Sequence, residues 1–320
     1  NVLGWFYYFR IKTQPERRRR RELKKWRSVL KVIRRAKRRR DYKKLARAQL
    51  LGRETIETMA HMYAWDLRQK LLAKPRYREE KRLPRFGFKG YSQNEEDGII
   101  QEIFSRIGTT NKTFFEIGAA NGLENNTLYL LIQGWLGFWV EGNPKSVASI
   151  KNRFKVPIKN GSLRVKYDWV QKNNINQLMA EGQLDSGDLD LFSLDIDGND
   201  YHVLEAIERL SSRVLVIEYN PKYRPGIKWV MEHNPKHSYD LSDQFGASLK
   251  SYEILLSKKG YKLVGCNLLG SNAFFVREDL MGDHFLSDCS AENHYEPERH
   301  FLKDGLVPLH SANFGSFQIK

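Results

Sequence analysis

From residue 113 onward, short apolar runs alternate with segments of helical period. The runs Phe114–Ile117, Phe138–Glu141, Ser162–Val170, Leu189–Ile196 and Val214–Tyr219 have the length and β-branched or aromatic content of strands. Leu189–Ile196 carries apolar residues on both strand faces, the pattern of a strand covered on both sides. Between and after these runs, Ile99–Ile107, Ile175–Met179, Val203–Leu210 and Ala247–Lys259 read as helices, the last closing at Gly260 in a C′ position. Ser92 and Glu95 have the spacing of a capping box for the first. Two closing runs, Tyr261–Cys266 and Ala273–Arg277, flank the turn-like LLGSN and predict an antiparallel hairpin. The whole predicts an α/β domain with a mostly parallel, seven-stranded, Rossmann-like sheet and helices on both faces.

Upstream the pattern changes. Ile56, Met59, Ala60, Tyr63, Leu67 and Leu71 fall on one helical face, and Pro75 ends that helix. Residues 74–90 are rich in Pro, Gly and charge and mark a boundary. Residues 1–89 then form a helical extension, 90–278 the α/β domain, and 279–320, which lack a period, an extension covering the surface or the site.

Charge sharpens this division. Residues 17–47 hold 18 Lys or Arg against Glu22 and Asp41, a net of +16, and the whole 320-residue chain is also +16. The residues outside that stretch therefore sum to zero. Leu23, Trp26, Val29, Leu30 and Ile33 put an apolar stripe on this basic stretch, and the aromatic cluster Trp5–Phe9 precedes it. An anionic membrane surface met through residues 5–47 suits that combination; nucleic acid, an acidic protein or a merely solvated helix are the alternatives. Two cysteines make no disulfide framework and point to a reducing compartment, and no 18-residue apolar run spans a bilayer. The expectation is a cytoplasmic protein, peripheral at the membrane. The first residue is not Met, which leaves room for an upstream segment.

Candidate chemistry clusters at strand ends. In TFFEIGAANG, residues 113–122, a strand ends beside Glu116 and turns through Gly118 and Gly122; the next strand ends in Glu141. An acid ending the second strand can hold a ribose diol. Glu116 beside the turn would repel a pyrophosphate and suits a cationic ligand such as S-adenosylmethionine (SAM), which carries a sulfonium and no phosphate. At the end of the fourth strand, Asp195, Asp197, Asn199 and Asp200 offer hard oxygens, and Glu218 and Asn220 end the fifth. Asp195, Asp197, Asp200, Glu218 and Asn220 are thus candidate ligands for Mg²⁺ or another divalent cation. Equally, Asp197 and Asp200 could cap the following helix. His202 beside this loop is a candidate base. His233 and His237 could reach a substrate, and Asn220-Pro221-Lys222-Tyr223 reads as a turn.

The ordered segments YSQNEEDGII, FFEIGAANG, GFWVEGNP, LFSLDIDGNDYHVLEAI, VLVIEYNP and GYKLVGCN with NAFFV resemble the FkbM-type family of class I SAM-dependent methyltransferases over roughly residues 90–278. That resemblance implies SAM as methyl donor and O-methylation of a hydroxyl, frequently on a sugar of a polysaccharide or glycolipid. It assigns Glu116, Gly118, Ala119, Asn121, Gly122, Glu141, Asn143 and Asp195 to SAM. The loop 195–200 would face the donor methyl, with Asp197, Asp200 or His202 taking the acceptor's proton. Ala120 departs from the glycine common in the class and stiffens the turn. Trp135, Trp139, Trp169 and Trp229 could stack on a sugar or lie in the core. Three other readings stay open: a metal-dependent glycosyltransferase using Asp195 and Asp197, an RNA methyltransferase gripping substrate with the basic arm, and a non-catalytic scaffold.

Overall fold

The computed structural model describes residues 58–182, 189–238, 244–299 and 302, with scattered positions between 24 and 56. The aromatic cluster at residues 5–9 and the stripe from Leu23 to Ile33 lie outside the described residues. Contacts divide the chain into two compact units, Asn1–His61 and Met62–Lys320. The second unit includes the Pro-, Gly- and charge-rich stretch 74–90. Tyr77 and Leu83 are both in its core, at 4% and 0% exposure.

That unit is built on seven strands: β1 (Thr113–Ile117), β2 (Leu136–Glu141), β3 (Leu163–Tyr167), β4 (Leu191–Leu194), β5 (Val214–Glu218), β6 (Tyr261–Cys266) and β7 (Asn272–Arg277). Their order is β3-β2-β1-β4-β5-β7-β6, with only β7 running antiparallel to its neighbours. This is the Rossmann-like order of the class I methyltransferase fold. The sheet's two faces build two apolar layers because side chains alternate along each strand. Phe115, Ile117, Phe138, Val140, Phe192 and Leu194 pack into one layer, and Phe114, Trp139, Leu191, Val214 and Val216 into the other.

Several boundaries move from the sequence expectation. β3 stops at Tyr167 and β4 at Leu194, so Asp168 and Asp195 lie in turns beyond the strand ends. The helix expected from Val203 begins at Asp200. The capping box is corrected too: Ser92 is not the cap of the helix Glu96–Ile107. Its hydroxyl accepts from the Asp97 amide at 3.2 Å, and Asp97 Oδ2 collects the amides of Gly90, Tyr91 and Ser92 at 2.6–2.8 Å. Glu95 instead accepts from the Leu269 amide at 3.0 Å. The stripe from Ile56 to Leu71 divides: Leu67 and Leu71 are half-buried, whereas Ile56, Met59 and Tyr63 face water. Residues 285–299 strap the body through Glu296, which pairs with Arg76 and Arg299 at 3.1 and 2.8 Å and accepts from the Tyr77 hydroxyl at 2.7 Å.

Sheet order positions the site. Chain direction along the sheet reverses between β1 and β4, the switch point where open parallel sheets leave a crevice at their carboxyl ends. Glu116 is level with Trp139 on one side and Ser193 on the other, so β1, β2 and β4 end together.

Candidate active site

A cleft of about 350 Å³ opens at this switch point. Its walls include Gly118 and Ala120 after β1, Glu141–Asn143 after β2, Asp168 and Trp169 after β3, Asp195 and Asp197 after β4, and His237 from the long loop after β5. The volume falls within the range of small-molecule sites, about 300–1,000 Å³.

The glycine turn is shaped by backbone. Gly118, Ala120 and Gly122 have φ of 87°, 48° and 76°, an alternating left-handed series. A side chain at Gly118 would overlap the Asp195 carbonyl, because the ends of β1 and β4 are bonded there, Asp195 N to Ile117 O at 3.0 Å. A Cβ at Gly122 would press Phe154 and Trp139 at 2.9 Å, so this glycine serves packing. Ala120 holds a glycine-like conformation with a methyl group, which explains why only two glycines mark the turn in the sequence.

Glu141 is the cleft's best-prepared acceptor. Its two carboxylate oxygens are oriented by the amides of Ala120 and Asn143, each at 2.7 Å, which leaves the remaining lone pairs toward the cleft. Burial raises its pKa. Asn143 caps the helix Pro144–Arg153 through the amides of Lys145 and Ser146. Two acids of similar position in sequence behave differently. Glu116 does not line the cleft. It is 2% exposed and accepts from Asn125 Nδ2 at 2.7 Å, Asn126 N at 2.9 Å and the Thr127 hydroxyl. Burial pushes it up to about 7. Glu116, expected as a cofactor ligand, thus spends its carboxylate on ordering the loop 125–127. Ala119 is buried in the second apolar layer, and Asn121 turns its side chain to the Leu123 amide. Neither lines the cleft.

The acidic loop divides likewise. Asp200, 1% exposed, accepts the amides of Ile196 and Gly198, both at 2.8 Å, and so braces the loop from behind. Asp200, expected as a catalytic and metal-binding group, therefore has both oxygens engaged by backbone amides and does not line the cleft. Asp197 is exposed to the cleft and adopts φ 52°, a conformation that Asp tolerates better than most residues. Oxygens of Asp195, Asp197 and Glu218 lie within 4.8 Å of one another. Burial, with the charges of Asp197, Asp200 and Glu116 added, holds Asp195 well above the usual carboxylate range. Asn220 stays outside this group, fully buried, its Oδ1 accepting from the Lys222 amide. Behind the trio, the Tyr252 hydroxyl is buried without a hydrogen-bond partner; burial and the charges of Asp200, Glu218 and Asp195 raise it well above its ordinary value. Such a set of crowded oxygens suits a cation.

His202, the expected base, bonds the Met231 carbonyl through Nε2 at 2.7 Å and is not among the residues lining the cleft. A folded-back loop delivers His237 instead. Gly246 donates to Gly198 O at 2.9 Å, Val230 bridges Ala247, and Asn199 and Asn234 exchange two bonds of 2.7 and 3.1 Å. His237 Nε2 is then 3.1 Å from the Asp197 carbonyl. A carbonyl only accepts, so Nε2 carries the proton in neutral His237 and Nδ1 is the basic nitrogen. Asp168 is a cleft residue that the sequence reading missed, and Trp169, one of the rings expected to stack on a sugar or lie in the core, stands beside it in the cleft wall. Reading the third strand through Val170 hid the turn in which they sit. The signal was an acid just past a strand's carboxyl end, as for Glu141 and Asp195.

No protein-family profile and no curated protein matches the chain. Among solved structures, the N-terminal domain of EvdMO1 with SAH bound is 14% identical, over 66% of this chain and 94% of that one, with a TM-score of 0.38. A magnesium protoporphyrin IX methyltransferase from Synechocystis PCC 6803 with bound SAM is 12% identical, over 57% and 77%, with a TM-score of 0.36. A SAM-dependent methyltransferase from Clostridium acetobutylicum is 10% identical, over 55% and 88%, with a TM-score of 0.35. At such identities the likeness concerns the fold alone.

Proposed function

We propose that this chain is a SAM-dependent O-methyltransferase of the FkbM type, acting on a hydroxyl of a sugar in a polysaccharide or glycolipid. One observation carries the reading: among the described residues the cleft wall presents Glu141, Asp168, Asp195 and Asp197 and no Lys or Arg, while Lys166 pairs with Asp168 at 3.4 Å. A nucleoside diphosphate or a dinucleotide needs cations or free amides for its phosphates, whereas a sulfonium–ammonium ligand needs acids. In the absence of a bridging divalent cation, this weighs against the glycosyltransferase reading of Asp195 and Asp197. SAM, when bound, supplies a methyl group already activated for displacement. Glu141 would take the ribose hydroxyls on its free lone pairs. Trp169, packed over Gly142, would flank the adenine, with Asp168 as an acceptor for its amino group. Asp195 would face the cationic end.

The protein's part is then to orient the acceptor oxygen and remove its proton. His237 Nδ1 is the group suited to that task, replacing His202, and Asp197 beside it would stabilise the imidazolium that forms. Asn199 and Ser238 at the cleft wall offer polar contacts for a hydroxyl-rich acceptor. The donor set of Asp195, Asp197 and Glu218 also fits a hard divalent cation, which would polarise the same hydroxyl.

Titration calorimetry tests the cofactor. SAM and SAH should bind the intact chain, Glu141→Ala should abolish that heat, and a UDP-sugar should give none. Binding of the UDP-sugar in place of SAM would overturn the proposal. In a methyl-transfer assay on a glycan acceptor, His237→Ala should leave SAM affinity unchanged and slow turnover about a hundredfold or more. His202→Ala should do neither.

A further inference from the structure

The chain's excess positive charge lies outside the described lining of the cleft. It is confined to residues 17–47, whose net of +16 equals that of the entire chain. In the first compact unit, Lys24, Arg27, Lys31 and Arg35 are helical and exposed, at spacings of three and four that bring side chains to one helix face. Lys37, Arg40, Lys43 and Lys44 are helical and exposed as well. The same unit leaves large apolar side chains in water: Val32, Ile56 and Met59 are helical and 65%, 61% and 65% exposed. Met62, Tyr63 and Trp65, which begin the second unit, are 68%, 62% and 66% exposed.

Cations alone would fit any polyanion. The apolar residues discriminate. A phosphodiester chain rewards Lys and Arg and can stack on aromatic rings, but offers nothing to Val, Ile and Met. A bilayer interface rewards both classes, holding cations among anionic headgroups and aliphatic and aromatic groups at the acyl boundary. No described helix is long and apolar enough to cross a membrane, so the contact is with its surface.

We infer that the first unit docks the protein peripherally on a bilayer rich in anionic phospholipid. The basic face meets the headgroups while Val32, Ile56 and Met59 enter the interface. Docking is independent of the methyl-transfer reading, and SAM calorimetry on each variant separates the two.

The test is co-sedimentation of the full chain with vesicles of phosphatidylcholine alone and with increasing phosphatidylserine. Binding should appear with the anionic lipid and weaken as salt rises. Reversing four cations (Lys24→Glu, Arg27→Glu, Lys31→Glu, Arg35→Glu) should lower partitioning about a hundredfold or more. Ile56→Ser with Met59→Ser, which leaves the charge intact, should lower it about fivefold. Equal binding to neutral vesicles, or none to anionic ones, would overturn the inference. So would indifference to the apolar pair, or displacement from vesicles by RNA at equal phosphate, which would assign the face to nucleic acid.

Discussion

Ala120 shows how one residue can hide a motif. The turn after β1 needs three left-handed residues, and a non-glycine at φ 48° costs about 1–2 kcal/mol, partly offset by glycine's larger entropy in the unfolded chain. Ala120→Gly should therefore stabilise the protein by about 0.5–1 kcal/mol, read as a higher urea midpoint with unchanged slope. It should leave SAM affinity intact, because the amide that orients Glu141 remains. A loss of stability would mean that the methyl group packs against something useful. The roles of Glu116 and Glu141 were only half legible for a related reason. Sequence shows an acid at a strand end but not which way its side chain turns. Glu116 shares β1's alternation with Phe114, whose neighbours form the second apolar layer, so its carboxylate is buried and must be satisfied by Asn125, Asn126 and Thr127. Glu141, last in β2, escapes into the cleft.

At the scale of an element, the loop 195–200 separates bracing from chemistry, although its acids are alike in sequence. Asp200→Ala strips hydrogen bonds from two amides and should cost roughly 2–4 kcal/mol. Asp197→Asn should be near neutral for stability, since Asn also tolerates a left-handed backbone, yet should impair methyl transfer. Denaturant curves beside an activity assay would separate the two; equal destabilisation by both would merge the roles. The seven strands and their order were readable from apolar runs and the closing hairpin. Less readable was the connection after β5. Its Pro-rich sequence has no period, and only tertiary contacts such as Asn199 with Asn234 fold it back to bring His237 beside Asp197. A histidine placed by such a loop lies 40 residues from its partner and has no spacing signature.

At the scale of the molecule, the buried acids set a conflict between stability and ligand binding. Burial raises Glu95 and Glu116 from an ordinary 4.5 to about 7, and it raises Asp97, Glu141, Asp195, Asp197 and Asp200 in the same direction. An acid whose pKa is higher folded than unfolded binds its proton more tightly when folded. Stability is then greatest below the unfolded pKa and falls as pH rises toward the folded one. Between pH 5 and 7.5 the folding free energy should decline by on the order of a few kcal/mol, and Glu116→Gln should flatten part of that slope. Affinity for a cationic cofactor should move the opposite way, rising as Asp195 and its neighbours ionise, because a bound sulfonium favours their charged forms. Urea midpoints and SAM calorimetry across the same pH series would show the two trends diverging. If SAM affinity stayed flat while the urea midpoints fell, the cleft acids would already be ionised throughout that range, and the predicted conflict between stability and binding would be absent.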